Sequence, residues 1–460
     1  MSWSATRISE DAGREPFWWK RPQWLSRDLL CLFAARGLRS FAIGYLGIIL
    51  PIYVADLGYN AVQLGTLFSI SGFTAAALAI SVGVLADRFG RKPFIILIAL
   101  MMAAGSTVLS FAHSYVAVVA AAAFGTIGFA GGVGGGGGWG PYYPAAQSLV
   151  AEQADHEHRT SIFGVLSFIG VVAGSFGSLA ATLPRLLHAT AGVSMLAGFR
   201  LLFLLAALIA ILMAVAVVPV HEIRYGRTLK PTPDRHSERP RPRISSDLSV
   251  RKLFGLSQDS WHLIWRFMVT NTINGLAQGM MGPFVVYWFY KRFGAGAAEL
   301  GHLYFIINVC AALPYLTTGR VSRRFGAVVT IVTSRFISAL MLVGVVLMPT
   351  YFAAAILYVV RVLVAVFAIP VRQSFLMGVI APAERSSAAG FANTPSQVTQ
   401  SLSAYGAGVL IHYVALSMPL LAAGLFQALN ALLYYALFWN IRPPEELDVI
   451  PALQEEKAAE

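Results

Sequence analysis

The sequence predicts an all-α polytopic membrane protein with about twelve transmembrane helices, arranged as two pseudo-symmetric six-helix bundles. Composition is the first observation behind this prediction. Of the 460 residues, 57% are hydrophobic and 12% are charged, whereas a soluble domain carries roughly 25% charged residues. A water-soluble fold of this length would expose apolar surface that it cannot bury, and a lipid bilayer removes that conflict.

The second observation is a series of apolar stretches, each long enough to cross a hydrocarbon core about 30 Å thick. The predicted spans are residues 29–54, 61–85, 94–112, 115–150, 161–183, 196–219, 262–290, 299–319, 328–348, 351–378, 386–413 and 418–440. They divide the chain into an N-terminal tail with an aromatic-basic interfacial stretch (1–28), a first bundle (29–219), a linker (220–260), a second bundle (261–440) and a C-terminal tail (441–460).

The third observation is an internal repeat. Residues 64–68, Leu-Gly-Thr-Leu-Phe, align with residues 300–304, Leu-Gly-His-Leu-Tyr, and Gly90 aligns with Gly326 at the same interval. At a slightly shorter interval, a second block aligns Pro144, Ser148, Arg159 and Gly164 with Pro370, Ser374, Arg385 and Gly390. We attribute the shorter interval to extra residues near Gly131–Gly138. Two halves that run in the same direction are the parallel-repeat arrangement of one class of transporter.

Basic residues lie on alternate connections between the spans. They concentrate in the N-terminal tail, at residues 88–92 and in the linker, which predicts cytoplasmic termini and a multi-pass protein of the cytoplasmic (inner) membrane. The net charge of +12 follows from this topology, so we expect no nucleic-acid partner. Cys31 and Cys310 fall in apolar stretches and predict neither a disulfide framework nor a metal site.

A ten-residue motif occupies the connection between the second and third spans. Residues 83–92 read Gly-Val-Leu-Ala-Asp-Arg-Phe-Gly-Arg-Lys, which resembles the most characteristic signature of the major facilitator superfamily. Together with the repeat, the resemblance covers nearly the whole chain. It implies two bundles that rock around a central site, with a cytoplasmic gate formed by Gly83, Asp87, Arg88, Gly90 and Arg91.

Within this gate, the resemblance implies that Asp87 latches the two halves by facing the positive end of a helix in the other half. Gly90 permits a tight turn that a Cβ atom would obstruct. The second copy has Arg323 where the first has Asp87, so we expect only the turn to repeat there. The alternative is that these residues set no more than topology and turn geometry.

Polar side chains on the helices that line the cavity in this family are the candidates for binding substrate. The seventh span carries Asn271, Asn274 and Gln278 at intervals that place three amides on one helix face. The eleventh span adds Gln397 and Gln400 on one face. Buried amides equally serve as contacts between helices, worth about 0.6 kcal/mol each, and that alternative stays open.

Two arginines lie deep in predicted spans, where a charge costs at least about 2.5–3.5 kcal/mol. They are Arg39 in the first span and Arg361 in the tenth, whereas Arg36 is one turn shallower and is expected to extend to the inner surface. None of the 22 acidic residues lies deep in a predicted span. We therefore hypothesise that Arg39 and Arg361 form a positive site for a carboxylate, phosphate or sulfonate. A structural contact to backbone carbonyls is the alternative.

Together these features predict a secondary transporter that moves a small organic solute, anionic or amphiphilic, by alternating access, with export favoured on resemblance alone. The runner-up is a broad-specificity drug:proton antiporter, which is weakened because the fourth span lacks the Arg-Gly motif of that group and the fifth lacks its Gly-Pro motif. A transporter-like receptor is the alternative from another class. We expect a monomer in the bilayer with a small-molecule substrate and without catalytic residues, metal or cofactor, and a coupling ion is left open.

Overall fold

A computed structural model describes residues 25–125, 140–153, 159–222, 258–379 and 385–441. In these ranges the chain is helical, with short turns between helices. The helices are α1 (Arg27–Asp56), α2 (Ala61–Phe89), α3 (Lys92–Phe111), α4 (Tyr115–Phe124), α5 (Tyr142–Gln153), α6 (Arg159–Ala180), α7 (Leu183–Ala191), α8 (Met195–Val217), α9 (Gln258–Phe293), α10 (Ala297–Phe325), α11 (Ala327–Leu347), α12 (Tyr351–Val366), α13 (Ala368–Val379), α14 (Arg385–Tyr413) and α15 (Met418–Phe438).

Five of these helices are capped at the N-terminus by a side-chain oxygen. At α2 the cap is reciprocal, because Asn60 accepts from the backbone N–H of Gln63 and the Gln63 side chain accepts from the backbone N–H of Asn60. A cap of this kind is worth about 1 kcal/mol. The residues that cap α1, α2, α4, α8 and α12 are Ser26, Asn60, Ser114, Ser194 and Thr350. The sequence thus places a capping oxygen where each of these helices begins.

The helices account for twelve spans in two bundles, which confirms the predicted fold class. Spans one to six are α1, α2, α3, α4 with α5, α6, and α8; spans seven to twelve are α9, α10, α11, α12 with α13, α14, and α15. Within the described ranges, eight helical stretches are long and apolar enough to cross a membrane. The long helices α9 and α14 are not among them, because amide and hydroxyl side chains lower their mean hydropathy.

Helix packing repeats between the halves. In the first bundle α1 packs on α6 and α8, and α3 packs on α8. In the second bundle the corresponding helices make the corresponding pairs, since α9 packs on α14 and α15, and α11 packs on α15. The halves meet through α2 against α14 and through α6 against α10, two contacts that the repeat also relates to each other.

The turns repeat with the same backbone conformation. Gly90 ends α2 with a φ of +98° and Gly326 ends α10 with a φ of +87°, as expected for the repeated turn. Gly58 and Gly294, which are related by the same interval, adopt φ angles of +84° and +66°. Only glycine adopts such angles without strain. We call the end of the molecule that carries Gly90 and Gly326 the motif end, and the end that carries Gly58 and Gly294 the opposite end.

Three local features differ from the predicted spans. The tenth span is broken at Phe367 into α12 and α13, and Pro370 lies in the first turn of α13, where its missing N–H is tolerated. The short helix α7 follows the fifth span and ends at Gly192 with a φ of +65°. In the fourth span, α4 ends at Phe124 and α5 begins at Tyr142. The tract Gly131–Gly138 lies outside the described residues, as do most of the linker and nearly all of both tails.

Candidate functional site

The halves meet at the opposite end through helix crossings that have no side chain between them. Where α2 crosses α14, a Cβ atom added to Gly65 would lie 2.7 Å from the carbonyl oxygen of Ala404 and 3.1 Å from the Cα atom of Gly408. Where α10 crosses α6, a Cβ atom added to Gly301 would lie 2.7 Å from the carbonyl oxygen of Ser178. Contacts this close require glycine, so the two bundles are closed against each other at this end.

Side chains reinforce the closure. The rings of Phe68 and Phe284 lie 6.3 Å apart across the halves, and those of Phe176 in α6 and Phe305 in α10 lie 5.8 Å apart. An ion pair joins Arg185 of α7 to Glu299 of α10. Both of its side chains are exposed, at 65% and 39%, so the pair contributes about 1 kcal/mol at most.

A hydrogen bond between the halves gives a first prediction. The Tyr290 hydroxyl of α9 donates to the Asp56 carboxylate of α1. Bonds to charged groups are worth about 1.5–3 kcal/mol when shielded, and this one is exposed, so we expect Tyr290→Phe to shift the equilibrium away from closure about fivefold. Spin-label distances across the opposite end measure this. Tyr59→Phe is the control, because Tyr59 donates to the His113 carbonyl within the first half, and an equal shift in both variants would contradict the prediction.

At the motif end, the turn at Gly90 is built around a carboxylate that sequence reasoning missed. Glu222, just after α8, accepts hydrogen bonds from the backbone N–H groups of Arg91 and Lys92 at the start of α3. A Cβ atom on Gly90 would lie 2.7 Å from Oε2 of Glu222. Gly90 therefore supplies both the positive φ and the space for an anion at a helix N-terminus.

Arg91 joins the same turn to the fourth span. Its guanidinium pairs with Glu152 and donates to the carbonyl oxygen of Ser148 at 3.2 Å, both in α5. Nearby, His221 receives a hydrogen bond on its carbonyl oxygen from Gln153 and donates its backbone N–H to Asp28. The motif end of the first bundle is thus held together by polar contacts from four spans.

The remaining residues of the predicted gate stay a prediction. Gly83, Asp87 and Arg88 lie in α2, as expected. The side chains of Asp87 and Arg88 lie outside the described part of the structure, so the expected latch between Asp87 and the other half is untested.

Arg39 is buried within the first bundle, with 2% of its surface exposed. Its Nη1 lies 3.8 Å from the sulfur of Met102 in α3, and its guanidinium lies 4.9 Å from the ring centre of Tyr142 in α5. Its Nε makes no hydrogen bond. A thioether is a weak acceptor, so Arg39 is a buried cation that contacts no anion among the described residues.

Arg36 does not extend to the membrane surface as expected, because only 5% of it is exposed. Its guanidinium lies against Gly170 of α6, where a Cβ atom would come within 2.9 Å of Nη2. Glycine at this position leaves room for the guanidinium inside the bundle, which is why a side chain near the end of the span is buried rather than extended. Arg36 and Tyr142 also border a small cavity between α1, α5 and α6.

Arg361 is buried in the second bundle, with 3% of its surface exposed. Its Nη2 donates to the side-chain oxygen of Gln427 in α15 at 3.0 Å, and its guanidinium lies 5.9 Å from the ring centre of Tyr358. No backbone carbonyl among the described residues accepts from it. The contact is to a neutral amide, so this charge also has no described carboxylate beside it.

Asn271 and Asn274 face two arginines that the sequence had not singled out. Arg372 of α13 donates from Nη1 to Asn271, and Arg335 of α11 donates from Nη1 to Asn274 at 2.7 Å and to Asn430 of α15 at 2.6 Å. Both arginines lie toward the motif end of their spans, where a long basic side chain is expected to extend to the surface. The structure shows them directed into the bundle instead.

The other predicted amides lie between α9 and α14. Gln278, Gln397 and Gln400 are each half-buried. At Gly279 of α9, a Cβ atom would lie 2.1 Å from the carbonyl oxygen of Gln400, so the two helices touch backbone to backbone. Part of this polar face therefore serves helix packing, and substrate binding by the three glutamines remains a prediction.

Comparison with known proteins gives the family. The family model of the Major Facilitator Superfamily matches residues 32–272 and 267–455. The chain belongs to the Major Facilitator Superfamily. It is therefore a multi-pass membrane protein of a family of transporters that take small-molecule substrates.

Individual members of the superfamily resemble this chain to different extents. An uncharacterized membrane protein of Saccharomyces cerevisiae is 20% identical over 400 residues, covering 84% of this chain and 88% of that protein. The multi-drug resistance efflux pump PmrA of Streptococcus pneumoniae is 30% identical over 130 residues, or 27% of this chain and 30% of the pump. A crystal structure of a mutant of the nucleoside transporter NupG superposes with a TM-score of 0.66 at 14% identity, covering 89% of this chain and all of that one.

In the part of this superfamily member that the structure describes, the charges directed into the bundles are of one sign. Arg36, Arg39, Arg335, Arg361 and Arg372 are directed into the two bundles, and the ion pairs found in the described ranges lie at the two ends. The described residues hold no cluster of three histidine, cysteine or acidic side chains that could bind a metal ion.

Proposed function

We propose that this chain is a secondary transporter that moves a small organic anion by alternating access. One observation carries the proposal, namely that each bundle holds a deeply buried arginine, Arg39 or Arg361, without a described carboxylate beside it. Residues 29–219 and 261–440 would be the two moving bundles and residues 220–260 the cytoplasmic linker. Both termini would be cytoplasmic, the protein would act as a monomer in the cytoplasmic membrane, and the solute would be exported.

Energetics favour an anionic ligand over a purely structural role for these arginines. A central arginine costs at least about 2.5–3.5 kcal/mol to place within a membrane. The contacts of Arg39, a sulfur atom and an aromatic face, return about 0.5–2 kcal/mol. A carboxylate, phosphate or sulfonate would neutralise the charge and form the stronger charge-assisted hydrogen bonds.

The state of the structure fits one half of a transport cycle. The crossings at Gly65 and Gly301 close the opposite end, so a solute in this state would exchange with the motif end. Separation at the opposite end, with closure at the motif end, would complete alternating access.

The second prediction concerns ligand binding. Carboxylates, phosphate monoesters and sulfonates are expected to raise the Tm of the detergent-purified protein in a concentration-dependent manner. Arg39→Gln and Arg361→Gln are each expected to weaken that binding at least about tenfold, because a hydrogen bond to a charged group is worth about 1.5–3 kcal/mol. Arg324→Gln removes the same charge from an exposed position and is expected to bind like the wild type.

The outcome distinguishes an organic-anion transporter from the two alternatives, a drug:proton antiporter and a receptor that does not transport. If lipophilic cations alone stabilise the protein and both buried-arginine variants behave like the wild type, the arginines are structural and the anion proposal fails. If anions bind but labelled anion shows no counterflow in proteoliposomes, the protein is a receptor rather than a transporter.

A second candidate function, drug efflux, is favoured by the 130-residue match to the efflux pump PmrA. That match covers 27% of this chain, and none of the 22 acidic residues lies deep in a predicted span to carry a proton. We therefore place it second. Uptake of a lipophilic cation against a proton gradient in inverted vesicles would make drug efflux the favoured function.

A further inference from the structure

Four helices of the second bundle converge on a polar cluster that the proposed transport site does not use. The cluster consists of Arg335 on α11, Arg372 on α13, Asn271 and Asn274 on α9, and Asn430 and Tyr434 on α15. It lies toward the motif end, among residues that pack within one bundle rather than between the two halves.

The two guanidinium groups are held close together by neighbouring amides. Arg372 is anchored on Asn271 and Arg335 on Asn274, and these asparagines are neighbours on one face of α9, about 5–6 Å apart. Arg335 and Arg372 interact electrostatically with each other and with the Tyr434 hydroxyl. In the described part of the chain, neither guanidinium contacts a carboxylate.

The orientation of the amides is fixed by contacts on their other side. Asn271 donates from Nδ2 to the carbonyl oxygen of Ala392 at 2.6 Å, and Asn430 donates from Nδ2 to that of Thr270. The amide oxygens must therefore face the arginines, because a flipped amide would place its N–H group against a cation and its oxygen against a backbone carbonyl oxygen. Among the described residues, the two like charges are held in place by neutral amide dipoles.

Two buried donors at this cluster have no hydrogen-bond partner among the residues that the structure describes. The Tyr434 side chain is 1% exposed and its hydroxyl makes no hydrogen bond, and Nε of Arg335 makes none either. Buried polar groups without a hydrogen-bond partner are rare, so we expect an acceptor at these two donors. Aromatic rings surround the Tyr434 ring, with those of Phe267, Phe375 and Phe438 centred 6.3, 6.3 and 4.6 Å from it.

We propose that one small monovalent inorganic anion, of halide size, binds between Arg335, Arg372 and the Tyr434 hydroxyl. Two cations and two unused donors converge there, and the aromatic walls offer no further donors to the several oxygens of a phosphate or sulfate. The anion would relieve the repulsion between the guanidinium groups and accept from the O–H group of Tyr434 and Nε of Arg335. It would be a fixed component of the second bundle, separate from the transported solute.

Chloride is the probe for this site. The test uses the Arg39→Gln, Arg361→Gln double variant, because gluconate is a carboxylate and would otherwise bind at the proposed transport site. The Tm of this purified variant is expected to rise with sodium chloride, compared with sodium gluconate at equal ionic strength, along the curve for one binding site. Tyr434→Phe is expected to reduce that rise by at least half, and Arg335→Lys, which keeps the charge but removes Nε, is expected to do the same. Tyr45→Phe is the matched control, because Tyr45 is a fully buried tyrosine of the first bundle whose hydroxyl donates to the Leu202 carbonyl.

Bromide, which scatters anomalously, locates the ion directly. We expect an anomalous peak between Nε of Arg335 and the hydroxyl oxygen of Tyr434 in crystals grown with bromide, and no such peak in Tyr434→Phe. The inference is overturned if chloride raises the Tm no more than gluconate, if the rise is unchanged in Tyr434→Phe, or if bromide occupies no position in this cluster. These outcomes are independent of organic-anion binding at Arg39 and Arg361, so either proposal can fail alone.

Discussion

Gly408→Ala is expected to prevent full closure of the opposite end and to slow transport roughly 5- to 150-fold. A Cβ atom at this position would lie 2.3 Å from the carbonyl oxygen of Ala61 and 3.1 Å from the Cα atom of Gly65. Both neighbours are backbone atoms of α2, so no side chain can turn away, and the helices must separate. Such overpacking costs about 1–3 kcal/mol, and a shift of that size in a two-state equilibrium corresponds to the stated range.

The same helix offers a control. Gly406 lies two residues earlier in α14, and a Cβ atom there would meet only the terminal methyl group of Met280, at 3.9 Å. Gly406→Ala is therefore expected to transport like the wild type. Spin labels at Ala189 and Pro349, exposed positions at the opposite end of the two halves, would report a longer distance in Gly408→Ala alone. Normal transport by Gly408→Ala would show that this crossing does not need to close.

Gly90→Ala is expected to destabilise the motif end by two separate effects. The φ of +98° and ψ of 157° are adopted essentially by glycine alone, and they cost a residue with a Cβ atom about 1–3 kcal/mol. In addition, the new methyl group would lie 2.7 Å from a carboxylate oxygen of Glu222 and would displace it from the backbone N–H groups of Arg91 and Lys92. We expect a fall in Tm and a loss of ordered contacts around the start of α3.

Two further variants separate these effects. Gly294 has a φ of +66° and no atom within 4 Å of an added Cβ, so Gly294→Ala measures the backbone effect nearly alone and is expected to lower the Tm less. Glu222→Ala in the Gly90→Ala background removes the crowded carboxylate, and we expect it to add little further loss. If Gly90→Ala and Gly294→Ala lowered the Tm equally, the contact with Glu222 would contribute nothing to the stability of the protein.

The fold could be predicted from the sequence because a lipid bilayer allows few arrangements of the chain. Apolar length fixes the spans, and the constant interval that relates Gly65 to Gly301 and Gly90 to Gly326 fixes the relation between the halves. The break at Phe367 was not predictable in this way, because the residues on both sides are apolar and the hydropathy signal continues across it. The helix α7 was missed because its residues 183–191 follow the fifth span without a polar gap.

The candidate site was predictable only in part. Depth in a span singled out Arg39 and Arg361, since a central charge is costly wherever it points. Arg335 and Arg372 lie nearer the motif end, and their direction depends on partners from other helices, Asn274 and Asn271. Glu222 is far from Gly90 along the chain, so no local pattern connects the carboxylate with the turn that it occupies.

At the glycine crossings the two bundles close through backbone contacts, which do not involve the side chains that select a solute. Backbone carbonyls and Cα atoms carry no titratable group and no rotamer entropy, so the closure that Gly65, Gly301 and Gly408 provide is insensitive to pH and to salt. At these crossings residue size governs closure, whereas the hydrogen bond from Tyr290 to Asp56 and the ion pair of Arg185 with Glu299 add separate contributions from charged groups. The side chains that select a solute are therefore free to diverge without altering how the bundles move, provided that these glycines remain.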